Sequence, residues 1–105
     1  MATSREITQG LQVQGSDEQI VYTLTTTNWA SSPTSPSAKI YSVVGDTYTD
    51  VTATNMPAGS ASATGDVITL PKIVSLTAGT MYRVEVQFTV SGNVFEAYAR
   101  ILCER

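Results

Sequence analysis

The chain has no histidine. That removes the commonest general base, metal ligand and triad member. It also removes any Cys–His nucleophile and any zinc site of the usual Cys/His kind. Carboxylates remain, and a glycoside hydrolase needs only two. The acids here are poorly placed for such work. Glu85 and Glu96 fall on the polar side of alternating segments. Asp46, Asp50 and Asp66 sit at strand ends and turns, where Asp ties down backbone groups. Calcium at the Asp46/Asp50 turn would suit a hard cation, but two acids so spaced are weak evidence for it, and a solvated turn is the preferred reading. Gly65-Asp66 and Gly79-Thr80 read as turns and not as phosphate cradles. Cys103 is the only cysteine, so no internal disulfide can form. It reads as a buried, inert thiol, with a reactive thiol as the alternative. The expectation is a chain without catalytic residues, metal or cofactor.

Residues suited to recognition are better represented. Trp29 follows a threonine run and precedes Pro33. An aromatic on an exposed loop anchors interfaces or stacks on sugars; the plainer reading is that Trp29 folds back onto the core. Arg83, Gln87, Tyr98 and Leu102 would share the outer face of the last two strands. A last strand is also a sheet edge, and edges invite pairing with another chain.

The elements that must carry these residues follow from periodicity. Tyr82, Val84, Val86, Phe88 and Val90 alternate with Arg83, Glu85, Gln87 and Thr89, the signature of a strand buried on one side. A second strand spans 94–104, with Phe95, Ala97, Ala99, Ile101 and Cys103 inward. A two-residue turn at Gly92-Asn93 would join them, glycine supplying positive φ at the first central position. That register pairs Phe88 with Ala97 and Val90 with Phe95. On the outer face it sets Gln87 against Tyr98 and Glu85 against Arg100, an opposite-charge pair.

Further strands are expected over 19–25, 38–44, 48–53 and 65–70, with a weaker one within 5–13. Gly45-Asp46 reads as a hairpin turn. Residues 25–37 and 54–64 read as loops, and no helical stripe is evident. About seven short strands separated by turn signals favour an all-β sandwich of antiparallel strands closed by a C-terminal β-hairpin. The 105 residues suit one domain. Residues 1–15 form an N-terminal arm or first strand, and 16–105 the sandwich. Six basic and nine acidic residues give a net charge of −3, which argues against nucleic acid. No apolar run is long enough for a bilayer, and no secretory leader is expected.

The segment Leu76-x-Ala-Gly79-Thr80-x-Tyr82-x-Val84-x-Val86 resembles the corner entering the penultimate strand of fibronectin type III and related immunoglobulin-like sandwiches. There the pattern is Leu, any, Pro, Gly, Thr, any, Tyr, then alternating valines; here Ala78 replaces the proline. The resemblance implies a tyrosine corner, with the Tyr82 ring in the core and its hydroxyl returning to upstream backbone, and Leu76 packed beneath the turn. The order VYTLTTTNW…SP, then GSASATGDVITLPKIVSLTAGTMYRVEVQFTVSGNVFEAYARILCER, is similar to small structural proteins of tailed bacteriophages and prophages. That resemblance implies a virion component, assembled in the host cytoplasm. It would be a capsid decoration or head–tail neck protein, in many copies, contacting itself and other capsid or tail subunits. A carbohydrate- or receptor-binding module, using Trp29 and nearby tyrosines, is the alternative.

Overall fold

The computed structural model describes residues 6–26, 31–57 and 59–104. Eight strands and one short helix follow in chain order: β1 Glu6–Gly15, β2 Thr23–Thr25, β3 Thr34–Val44, β4 Thr47–Asp50, α1 Thr52–Asn55, β5 Ser62–Thr64, β6 Val67–Thr69, β7 Met81–Val90 and β8 Asn93–Glu104. They form two sheets, β1-β8-β7-β3-β4 and β2-β6-β5. Side chains from both meet in one apolar cluster, with Ile40, Val84, Val86, Phe88 and Ile101 from the first sheet against Ile68 from the second. The chain is predominantly β, but not wholly antiparallel: β1 runs parallel to β8.

The faces of β7 and β8 are those the alternation predicts, with Tyr82, Val84, Val86, Phe88, Ala97, Ile101 and Cys103 buried. The register differs by one turn position. Val90 pairs with Asn93, so the central residues are Ser91 and Gly92, and Asn93 opens β8. Both central residues have positive φ, 51° and 81°, as a type I′ turn requires. Phe88 therefore meets Phe95 and not Ala97, and the rings lie 5.9 Å apart. Glu85 faces Tyr98 and Gln87 faces Glu96. The expected Glu85–Arg100 pair is replaced by Arg83–Glu85 on one strand, 2.8 Å apart.

Other boundaries shift for local reasons. The strand expected over 48–53 stops at Asp50, whose carboxylate accepts the Thr52 N–H at 2.9 Å. The Thr52 hydroxyl then accepts the Ile40 N–H, α1 begins, and Asn55 binds the Val74 and Ser75 carbonyls. The 54–64 loop contains α1's last residues and β5, which pairs with β6 across Gly65-Asp66. The loop over 25–37 gives way to β3 at Thr34, with a bulge before Ser37 that accommodates Pro36. The Gly45-Asp46 turn joins β3 and β4 where the sequence puts it.

The corner before β7 is built as follows. The Tyr82 hydroxyl accepts the Thr77 N–H at 2.8 Å. Leu76 is buried, and the Gly79 N–H reaches the Cys103 carbonyl at 2.8 Å. Tyr82→Phe should lower stability by about 1–2 kcal/mol, because a partly buried N–H loses its acceptor. Urea midpoints compare the two proteins; equal midpoints would mean the hydroxyl contributes nothing.

Candidate docking surface

Direct cross-strand partners share a face, so the register assigns the outer surface of the five-stranded sheet. β7 contributes Met81, Arg83, Glu85 and Gln87, and β8 contributes Glu96, Tyr98, Arg100 and Leu102. β3 adds Lys39, Tyr41 and Val43, β4 adds Tyr48, and β1 adds Leu11 and Val13.

Arg83 is the hub. Its guanidinium carbon lies 3.9 Å from the centre of the Tyr98 ring and 5.6 Å from that of Tyr48. Its Nε donates to Glu85 Oε2. Two aromatic rings and one carboxylate surround the cation. A shallow depression of about 290 Å³ lies beside it, lined by Val43, Tyr48, Met81 and Arg100 among others. Leu11 is 42% exposed, and Val13 and Tyr48 are each 51% exposed. Gln87 Nε2 makes a long contact of 3.4 Å with Glu96. An Arg clamped by tyrosines amid exposed aliphatic residues has the composition of an interface centre.

The four residues expected on the outer face do come together there. The expectation that the last strand is a sheet edge is overturned: β1 covers β8, and the edges of this sheet are β1 and β4. Trp29 lies outside the described residues. Tyr48, Leu11 and Val13 join the face from strands distant in the chain, which local alternation does not reveal; Met81 lies two residues before Arg83 on β7, so its parity was legible. Tyr41 and Val43 alternate with buried Ile40 in β3, so that signal was available.

Away from this face, three carboxylates hold backbone N–H groups. Asp66 accepts the Ser32 N–H at 2.8 Å, and Glu18 accepts the Gly15 N–H at 2.6 Å. Hydrogen bonds from Thr52, side chain first and backbone N–H second, hold the Asp50 carboxyl below its usual range. A lowered folded-state pKa gives stability that is present above the unfolded value and lost as pH falls through the folded one. Asp50→Asn should therefore be less stable than wild type above about pH 5, and the gap should close on acidification. Thermal midpoints across a pH series test this; a gap independent of pH would contradict it. Among the described residues, no three His, Cys, Asp or Glu side chains form a metal-binding group. Cys103 is buried, and burial pushes its thiol pKa up, away from the nucleophilic thiolate.

No family model matches the chain, and neither a curated protein nor a solved structure is detectably similar to it.

Proposed function

We propose that this chain is an immunoglobulin-like β-sandwich that acts by binding other proteins through the outer face of its five-stranded sheet. The observation that carries the reading is Arg83, 3.9 Å from the Tyr98 ring centre and 5.6 Å from that of Tyr48, on a sheet face that also exposes Leu11 and Val13. Strand order supports the immunoglobulin-like part: β2-β6-β5 corresponds to strands B-E-D, and β8-β7-β3-β4 to G-F-C-C′. The Tyr82–Thr77 hydrogen bond supports it as well.

Joined to the resemblance to bacteriophage structural proteins, this face gives a specific role. The chain is a virion structural or accessory protein, a capsid decoration or a head–tail neck component, assembled in the host cytoplasm. It sits in multiple copies in a symmetric assembly, held by contacts with other virion subunits and with itself. The carbohydrate- or receptor-binding alternative rests on Trp29 and on aromatic platforms. The Arg83 guanidinium covers one face of Tyr98, which favours protein contacts over sugar stacking at that ring.

Particles purified from the host that encodes the chain, read by quantitative mass spectrometry, test the reading. The protein should be present in many copies, and an Arg83→Ala/Tyr98→Ala variant should fold but be depleted from particles. Particles lacking the wild-type protein would refute the virion role. Full incorporation of the variant would refute the docking face.

A further inference from the structure

A second site lies between β1 and β2, the edge strands of the two sheets on the same side of the molecule. There a cavity of about 330 Å³ opens into the core. Leu70, Ile73, Val84, Val86 and Ile101 form its apolar walls, and Ala97 and Ala99 leave the space beside β8 unfilled. The ladder between β1 and β8 is interrupted here: Glu6 pairs with Tyr98 and Leu11 with Arg100, so five steps along β1 match two along β8. Gln12, Val21, Tyr22 and Thr23 also border the space.

The rim carries a second, independent feature. β2 is the outermost strand of its sheet among the described residues. Its bonds to β6 and the adjoining backbone run through alternate residues. The Leu70 N–H reaches the Tyr22 carbonyl at 2.9 Å, and the Thr26 N–H reaches the Asp66 carbonyl at 2.8 Å. In an antiparallel pair that alternation turns the N–H and C=O of Thr23 and Thr25 away from β6. Gln12, half-buried, stands on the opposite rim.

We propose that this edge and cavity together receive an extended peptide strand from a partner protein. The strand pairs with the outward backbone groups of Thr23 and Thr25. Its side chains opposite Tyr22 and Leu24 point inward, and one large apolar side chain fills the cavity. A small apolar molecule would match the cavity and leave the β2 backbone without partners. Only an extended chain offers N–H and C=O groups at two-residue spacing together with an inward side chain. The site shares Tyr98 with the outer sheet face but opens on the opposite side of the sheet, and it does not depend on the role proposed for that face.

A displayed library of random nonapeptides, selected against the full-length protein, supplies the probe. The best binder is synthesised with a fluorescein label and titrated by anisotropy. Thr23→Pro removes one edge N–H that β6 does not use, and Ala99→Leu fills the cavity. Each should weaken binding by about tenfold or more. N-methylation of alternate peptide amides should do the same against unaltered protein, which decides the matter if a variant misfolds. Four results would overturn the proposal. They are a library with no enrichment, a binder indifferent to N-methylation, an affinity unchanged in both folded variants, or a wild-type dimer in light scattering that Thr23→Pro dissolves, which would assign the edge to a second copy.

Discussion

Gln14→Leu should destabilise the protein by about 2 kcal/mol, although it replaces a polar core residue with an apolar one of similar size. Gln14 is 0% exposed. Its Nε2 donates to the Glu18 and Ile73 carbonyls, each at 3.0 Å. Its Oε1 accepts the Tyr22 hydroxyl at 3.0 Å. Leucine would leave two carbonyls and a hydroxyl without that partner; the Ile73 bond is buried and the other two partly so, each loss costing about 1 kcal/mol. The gain from burying leucine does not offset three such losses. Tyr22→Phe removes only one of the bonds and should cost about 1 kcal/mol. Burial, reinforced by Glu18, raises the Tyr22 pKa, so the donor survives into the alkaline range. Urea unfolding followed by circular dichroism measures both variants. A Gln14→Leu midpoint equal to wild type would mean that the amide does not secure β1.

The same residue explains why β1 was hard to read. In Leu11-Gln12-Val13-Gln14 the apolar residues face solvent and the glutamines face in. Alternation gives the parity of a strand, and the usual rule then sends the apolar set to the core. Here the rule inverts, because Leu11 and Val13 belong to the exposed sheet face while Gln14 finds one carbonyl at Glu18, just past the strand's end, and another at Ile73, far along the chain. Nothing within residues 11–14 announces those partners. β5 was hidden for a related reason. Ser62-Ala63-Thr64 has little strand propensity, and its conformation comes from pairing with β6, a tertiary effect that overrides local preference.

The outer face was legible to the extent that parity reaches. Arg83, Gln87, Tyr98 and Leu102 share a side because each lies an even number of residues from the next on its own strand. Which strands flank them depends on sheet order, and parity carries no information about that. Hence Tyr48, 5.6 Å from the Arg83 guanidinium, could not be foreseen from its own segment. Nor could the parallel docking of β1, which removes β8 from the edge.

The hairpin register marks the same limit and yields the second large effect. Moving the turn by one position shifts the pairing by two residues, so every inward residue still meets an inward residue. Face patterning therefore cannot choose between the two registers. The turn at Ser91-Gly92 is compatible with positive φ at both centres, and it brings Phe88 opposite Phe95. Phe88 is 1% exposed, so Phe88→Ala should cost about 3–5 kcal/mol through lost burial and the cavity left behind. Phe95 is half-buried, and Phe95→Ala should cost about 1–2 kcal/mol. If the stacked rings help select the register, the double variant should lose less than the sum of the two by about 0.5–1.5 kcal/mol. Urea unfolding of all four proteins closes this cycle. Strict additivity would leave the positive-φ turn, and not the ring pair, as what sets the register. Coupling of the expected size would show that one cross-strand contact resolves an ambiguity that the alternation of the whole hairpin leaves open.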